Sequence, residues 1–223
     1  MEGNQINFFT VQDIWDEQEK GIAIDPTETY DPLHFWEDYG DKYYKGFKKM
    51  QDVQRNLAWI LHKLTTLKVD NLLDVGCSFC RLEPFIIDGK GAKEVTGVDI
   101  SQKQLDCSVE YLKEYPGKDK IKVVNASVKR LPFESNSFDC VLTHEMLMHM
   151  HPGKIWLALR ELSRVSKKYI MLIERFVYLG EHPQPHIWTH DYHKLAGDSA
   201  LTILESKLIG NGEVGIILRK NLC

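Results

Sequence analysis

The sequence lacks long hydrophobic runs and has no excess of positive charge. No stretch approaches the roughly 20 consecutive apolar residues that a bilayer-spanning helix needs. Basic side chains number 28 against 32 acidic ones, which gives a formal net charge of −4. A nucleic-acid-binding domain usually carries a basic excess. These absences argue against a membrane protein and against nucleic acid as the main partner.

Cysteine and proline are also scarce, with five and eight residues among 223. Because the cysteines are scattered and odd in number, they do not indicate a disulfide framework. The N-terminus shows no positive flank followed by the apolar core of a signal peptide. We therefore expect a soluble, cytoplasmic protein, whose oligomeric state the sequence does not indicate.

The chain length suits one main domain, and 43% apolar residues suffice for a sizeable core. Residues 1–42 differ from the rest, since they are rich in aromatic side chains and weakly periodic. Such a segment cannot close a core of its own, so we predict an arm or lid over residues 1–42 and the main domain over 43–223. Apolar residues at helical spacing predict one long amphipathic helix over about residues 43–67.

From residue 71 onwards, short apolar runs alternate with helical patterns. The predicted strands are 72–75, 95–99, 121–124, 138–142, 169–173, 201–209 and 214–218. Strands that alternate with helices indicate βαβ units and a mostly parallel sheet. The last two strands are separated by the turn residues 210–212, so they are predicted to pair as an antiparallel hairpin.

One helix of this pattern has a clear start. Ser101 is a good N-cap for a helix that runs to about Tyr115. Its inner face is predicted to carry Leu105, Val109 and Leu112.

Small and polar residues follow three of the predicted strands. Gly76 comes after the first, Asp99 ends the second, and Asn125 ends the third. Open parallel sheets bind ligands at the carboxyl ends of their strands. A carboxylate such as Asp99 can accept hydrogen bonds from both hydroxyls of a ribose, and Asn125 can read an adenine edge.

Four segments in this order resemble the motifs of class I S-adenosylmethionine-dependent methyltransferases. They are LLDVGC at 72–77, VDIS at 98–101, LPF at 131–133 and SFDCVL at 137–142. The resemblance covers about residues 71–174 and extends to the C-terminal hairpin as topology. It implies an α/β, Rossmann-like, seven-stranded and mostly parallel sheet, with an antiparallel C-terminal hairpin and helices on both faces.

The resemblance implies S-adenosyl-L-methionine as methyl donor and S-adenosyl-L-homocysteine as product. The residues expected to contact the cofactor are Asp74, Gly76, Cys77 and Ser78 at its methionine part, Asp99 at the ribose, Ile100, Asn125, Ala126 and Ser127 at the adenine, and Thr143 beside the sulfonium. The family's usual Gly-x-Gly-x-Gly loop stands here as Gly76-x-Ser78-x-Cys80. A serine suits a position where φ stays negative, whereas Cys80 adds bulk where the following helix packs.

The densest group of titratable side chains follows the fourth predicted strand. His144, Glu145 and His149 are the catalytic candidates, because methylation of a hydroxyl or an ammonium requires the loss of a proton. The alternative for His149 is a capping or packing role. Since its spacing from His144 is one residue longer than in a His-Glu-x-x-His zinc motif, we expect no catalytic metal. Cys77-x-x-Cys80 has no second pair, so no metal or redox role is expected there either.

Four further residues are expected to contact the methyl acceptor. They are Tyr39, Tyr43, Arg175 and His186. The alternative for the tyrosines is packing of the long helix on the sheet. His190 and His193 are interpreted as parts of a surface loop, with Thr189 as N-cap of a short helix.

The sequence thus predicts a methyltransferase that modifies an oxygen or nitrogen atom of a polar small molecule. Two alternatives stay open. One is a methyltransferase of the RNA 3′-end 2′-O type, which the negative net charge disfavours. The other is a non-catalytic scaffold with the same fold.

Overall fold

The computed structural model describes residues 31–47, 56–175, 187–210 and 212–221. The helices are α1 Pro32–Phe47, α2 Leu57–Leu67, α3 Glu83–Asp88, α4 Gln102–Tyr111, α5 Ile155–Val165 and α6 Tyr192–Asp198. The strands are β1 Asn71–Val75, β2 Glu94–Asp99, β3 Ile121–Asn125, β4 Phe138–His144, β5 Ser166–Arg175, β6 Leu201–Gly210 and β7 Glu213–Lys220. Short 3-10 turns cover Lys118–Lys120 and Leu147–His149.

The strands form one seven-stranded sheet in the order β3-β2-β1-β4-β5-β7-β6. β1 pairs in parallel with both β2 and β4, and the parallel part extends to β3 and β5. β7 pairs antiparallel with β5 and with β6. The predicted parallel sheet with an antiparallel C-terminal hairpin is therefore confirmed. Strand order reverses between β1 and β4, which is where ligands bind in sheets of this kind.

Helices cover both faces of the sheet, because side chains of successive strand residues point to opposite faces. Leu72 belongs to the apolar cluster that packs under α2 and α3, and Leu73 belongs to the cluster under α5. Both leucines are fully buried. The continuous apolar runs that predicted these strands thus reflect burial on two sides.

Helix α4 begins as predicted, but it presents a different face to the sheet. The Ser101 hydroxyl accepts a hydrogen bond from Gln104 N at 3.2 Å, which confirms it as the N-cap. The prediction that Val109 faces inward is wrong, since 71% of it is exposed. The helix is rotated so that Gln104, Leu105 and Ser108 are buried. Polar Gln104 takes an inner position because it bonds the loop after β1.

Within the single helix predicted over residues 43–67, the structure describes the last part of α1 and all of α2. The α2 helix begins at Leu57, and Asn56, in the N-cap position, turns its amide to the buried Glu213 carboxylate. Residues 48–55 lie outside the described part. The proposed division after residue 42 falls within α1, and the aromatic residues before position 31 also lie outside the described part.

Helix α6 also starts later than the sequence suggested. Asp191, and not Thr189, caps it, because the Asp191 carboxylate accepts from Lys194 N at 2.9 Å. His190, the residue before this cap, is buried, and its Nε2 lies 3.1 Å from Leu147 O. The interpretation of His190 as part of a surface loop is therefore wrong.

The orientation of α4 predicts that mutations on its two faces lower the free energy of unfolding by different amounts. Leu105→Ala should lower the free energy of unfolding by about 2–4 kcal/mol, because it leaves a cavity in the core. Val109→Ala removes mostly exposed surface and should change it by less than about 0.5 kcal/mol. Urea unfolding followed by circular dichroism measures both, and equal losses would contradict the orientation described.

Candidate functional site

The loop after β1 turns sharply, because several of its residues have positive φ. Gly76, Ser78 and Cys80 have φ of 85°, 56° and 59°. Glycine adopts this region freely, whereas a residue with a side chain is strained there by about 1–2 kcal/mol. The expectation that Ser78 keeps a negative φ is therefore wrong. Its backbone is turned so that its N–H points at the carboxylate of Asp99.

Gly76 is needed at the start of this loop for a steric reason as well. A Cβ atom there would overlap the side chain of Met146, which packs directly against the backbone. The N–H groups of Gly76 and Cys77 both donate to Val98 O, at 2.7 and 3.1 Å. The loop is thus fixed on one side by β2 and on the other by the segment after β4.

Asp99 joins two elements through its two oxygens. Oδ2 accepts from Ser78 N and Oδ1 from Ser101 N, each at 2.9 Å. Burial raises the pKa of Asp99, and the amide bonds from Ser101 and Ser78 oppose that rise. A carboxylate has about four acceptor positions, so Asp99 keeps capacity to accept a hydrogen bond from a ligand.

A cavity of about 370 Å³ opens at the carboxyl ends of β1, β2 and β4. Its volume lies within the usual range for small-molecule sites. Most of the predicted site residues line it: Tyr39, Asp74, Gly76, Cys77, Ser78, Asp99, Ile100, Ala126, Ser127, His144, Glu145, His149 and Arg175. The sequence motifs therefore converge on one cavity.

Two of the residues expected at the cofactor do not line the cavity. The Asn125 amide donates to Asp99 O and Ile100 O, at 3.1 and 2.9 Å, so it shapes the turn after β2. Thr143 is buried, and its hydroxyl donates to Glu174 Oε1 at 2.9 Å. For both, the side chain bonds the protein itself. His186 lies outside the described residues, as does the side chain of Tyr43.

Helix α1 covers one side of the cavity. Trp36 and Tyr39 line it. The Ser101 hydroxyl donates to Trp36 O at 3.3 Å, which fixes α1 to the start of α4. The Trp36 ring meets the His149 ring edge-on at 5.0 Å between centroids. The described part of the predicted arm thus lies between α4 and the segment after β4.

His144 has a defined hydrogen-bonding role. Arg81 Nη2 lies 3.2 Å from His144 Nδ1. Because an arginine only donates, Nδ1 accepts, and the neutral ring carries its proton on Nε2. In this arrangement His144 is a donor towards its surroundings and has no unshared nitrogen left to act as a base.

Glu145 is held as a carboxylate beside Arg175. Burial acts to raise the pKa of Glu145, but the positive charge of His144, when its ring is protonated, and that of Arg175 outweigh burial, so the pKa is lowered. The Glu145 Oε1 to Arg175 Nε distance is 3.3 Å. A carboxylate of lowered pKa is a weak base. Of the three predicted catalytic residues, His144 and Glu145 are thus engaged with Arg81 and Arg175, and the His149 ring contacts Trp36.

Glu174 holds the segment after β4 in place. It is fully buried, and Oε1 accepts from Thr143 Oγ1 at 2.9 Å and from Leu147 N at 3.1 Å. Burial raises the pKa of Glu174 to about 8. The carboxyl group therefore links β5 to the turn that carries Glu145 and His149, although it does not line the cavity.

Asp74 is the second acidic residue of the cavity wall. It is 3% exposed at the end of β1. Burial raises the pKa of Asp74, and the charge of Glu83 raises it further. This part of the cavity wall is thus buried, and a cationic group bound beside Asp74 would favour the ionised carboxylate again.

Sequence reasoning missed several residues of the site. Arg81, Trp36, Gln104, Lys129, Met146 and Met148 also line the cavity. A charged residue such as Arg81, placed directly before a short helix, is a signal that could have been used. Glu174 could not have been found this way, since its role depends on the pairing of β5 with β4.

Three comparisons with known proteins agree with this geometry. Residues 72–169 match the methyltransferase domain family. An uncharacterized methyltransferase of Schizosaccharomyces pombe is 37% identical over 109 residues, which are 45% of this chain and 37% of that protein. A demethylmenaquinone methyltransferase of Staphylococcus haemolyticus is 29% identical over 134 residues, 58% of this chain and 54% of that one. The chain thus spans about half or less of these relatives.

A solved structure shows the same fold. The magnesium protoporphyrin IX methyltransferase of Synechocystis, crystallised with S-adenosylmethionine bound, superposes with a TM-score of 0.67. The identity is 13%, and the alignment covers 87% of this chain and all of that one. These findings agree with the resemblance noted in the sequence: residues 72–169 match the methyltransferase domain family, and the fold is shared with a structure that binds S-adenosylmethionine. Among the described residues, each helix is too short or too polar to cross a membrane.

The buried carboxyl of Glu174 predicts a pH dependence of stability. Its pKa in the folded state, about 8, lies above its ordinary value of 4.5. Between these values the folded state keeps a proton that the unfolded chain releases, so this group's contribution to stability falls as pH rises. The slope is at most about 1.4 kcal/mol per pH unit, and Glu174→Gln should remove it.

Urea unfolding between pH 5.5 and 7.5 tests this expectation. The stability of the wild type should decrease relative to that of Glu174→Gln as pH rises, while the exposed control Glu134→Gln should follow the wild type. Parallel curves for the wild type and Glu174→Gln would contradict it.

Proposed function

We propose that the protein transfers the methyl group of S-adenosylmethionine to an oxygen or nitrogen atom of a polar small molecule. The observation that carries this proposal is the position of Asp99. Its carboxylate lies on the cavity wall at the tip of β2, oriented by the backbone amides of Ser78 and Ser101 and able to accept further hydrogen bonds from a ligand.

The residues of the cavity fit an adenosyl cofactor with a cationic tail. Asp99 would hold the ribose, and Ile100 would pack against the adenine. The buried acidic group of Asp74 favours the positive charge of the methionine part. When bound, S-adenosylmethionine supplies a methyl group made electrophilic by its sulfonium.

The residues of this chain would orient the acceptor and exclude water. Trp36 and Tyr39 close the cavity on the side of α1. Arg175, oriented by Glu145, offers a guanidinium to a polar or anionic acceptor group. Holding the acceptor at the methyl group in a site with little water supplies most of the rate enhancement.

His149 would remove the proton that the acceptor loses. Its ring lines the cavity and is oriented by its edge-on contact with Trp36. His144 would contribute a hydrogen bond from its Nε2–H, since its Nδ1 faces Arg81. The relatives support a small-molecule acceptor, since one is named for demethylmenaquinone. For this protein, the proposal of a polar acceptor is based on the side chains that line the cavity.

Binding of the cofactor product tests the first half of this proposal. Asp99→Ala should weaken the binding of S-adenosylhomocysteine, measured by calorimetry, at least tenfold, since two hydrogen bonds to a charged acceptor are lost. The affinity of Asp99→Asn should lie between those of the wild type and Asp99→Ala, and the exposed control Asp119→Ala should bind as the wild type does. A wild-type protein that binds none at millimolar concentration would instead indicate a scaffold.

Methyl transfer tests the second half. Methyl-labelled S-adenosylmethionine is incubated with the protein and fractions of a pool of hydroxyl- and amino-bearing metabolites. With the fraction that accepts label, His149→Gln should lower the turnover rate by about 10²–10⁴-fold, the usual contribution of a general base. Affinity for S-adenosylhomocysteine should stay within about twofold.

The exposed His62→Gln serves as the matched control and should keep the wild-type rate. If His149→Gln turns over at the wild-type rate, the assignment of the base is wrong. Label that is transferred only to RNA, with a strong salt dependence of binding, would overturn the small-molecule proposal.

A further inference from the structure

A group of three potential metal ligands lies beneath the loop after β1. Cys77, Cys80 and Glu83 each offer one donor atom, and these atoms all lie within 4.8 Å of one another. The two Sγ atoms are 4.0 Å apart. The sequence shows the two cysteines as an isolated pair, and the fold adds the carboxylate as a third donor.

The local backbone brings the three donors together. Cys80 N donates to Cys77 O at 3.0 Å, which closes a turn with both thiols on one side. Glu83 is the first residue of α3, three positions after Cys80. Gly97 in β2 leaves the space for the sulfurs, because a Cβ there would lie 2.8 Å from Cys77 Sγ and 3.2 Å from Cys80 Sγ.

The carboxylate of Glu83 is only half satisfied. The residue is fully buried, and its Oε2 accepts from Leu82 N at 3.0 Å. Its Oε1 accepts no hydrogen bond from an amide or hydroxyl group among the described residues, and the polar groups beside the carboxyl are the acidic side chains of Asp74 and Cys80. Acidic groups buried together are destabilising, and a cation between them would offset that cost.

We propose that Cys77, Cys80 and Glu83 form a binding site for one divalent cation of the zinc class. Two thiolates with a carboxylate suit zinc better than the hard cations magnesium and calcium. At a zinc–sulfur distance of about 2.3 Å, tetrahedral geometry places two sulfurs about 3.8 Å apart, close to the separation found here.

The surroundings allow the ion to arrive and complete its coordination. Cys77 lines the cavity, and so does Asp74, so the ion can reach the site from there. A water molecule would take the fourth position. Binding replaces the two thiol protons, and the carboxyl proton where Glu83 is protonated, and releases them to solvent.

Such an ion would act on the loop and not on the chemistry. It would clamp the turn in which Ser78 and Cys80 hold strained, left-handed conformations. That turn points Ser78 N–H at Asp99, so the ion would stabilise the cofactor-binding conformation.

Metal analysis of the full chain tests the proposal. The protein is loaded with zinc chloride, passed over a desalting column with a weak chelator and analysed by inductively coupled plasma mass spectrometry. The wild type and Cys107→Ser, a cysteine outside the cluster, should retain about one zinc per chain. Cys80→Ser and Glu83→Gln should bind at least tenfold more weakly in a competition with a zinc-binding dye.

A second measurement distinguishes a loss of metal binding from a loss of folding. Cobalt added to the wild type and to Cys107→Ser should produce a thiolate charge-transfer band in the near ultraviolet, and Glu83→Gln, checked by circular dichroism, should weaken it. A wild-type protein that retains no zinc and shows no such band would overturn the proposal. Equal losses of retained zinc in Cys107→Ser and in Cys80→Ser would also overturn it. S-adenosylhomocysteine binding is measured separately, so failure here leaves the proposed function untouched.

Discussion

The carboxylate of Asp99 is the interaction on which the site depends. Its two oxygens accept from Ser78 N and Ser101 N, and so they join the loop after β1 to the start of α4. Hydrogen bonds between an amide and a buried carboxylate are stronger than neutral ones. These bonds orient the side chain before any ligand arrives. Ser78 directs its N–H to this carboxylate in a left-handed conformation, with φ of 56°.

The buried carboxyl group of Glu174 also joins two elements, on the other side of the cavity. Glu174 links β5 to the turn after β4, and Glu145 in that turn has a positive φ of 52°. Strained residues therefore occur in both loops that border the cavity, as is common at functional sites. Both loops lie where strand order reverses, between β1 and β4. The fold thus supplies rigid strands on which two tightly turned loops are presented to a ligand.

Much of the fold could be predicted from the sequence, because local signals carry it. Apolar runs predicted the strands, Ser101 predicted the start of α4, and the order of the motifs predicted the position of Asp99. The inner face of α4 could not be predicted, since Gln104 is buried by a bond to Ser78 that periodicity does not show. The start of α2 at Leu57 follows Asn56, whose amide bonds Glu213, and these two residues are 157 positions apart.

The chemistry of individual side chains was harder to predict than their position. His144 lines the cavity as expected, but its contact with Arg81 engages the Nδ1 atom of its ring. Asn125 and Thr143 follow strands as a ligand-binding residue would, yet both side chains bond the protein. The sequence placed these groups near the site, and long-range contacts decided their roles.

A crystal structure grown with S-adenosylhomocysteine tests the central claim most directly. We expect both ribose hydroxyls to lie within hydrogen-bonding distance of the Asp99 carboxylate, with Ser78 N and Ser101 N still donating to that carboxylate. A nucleoside found elsewhere, or an Asp99 side chain turned away from the ribose, would contradict it.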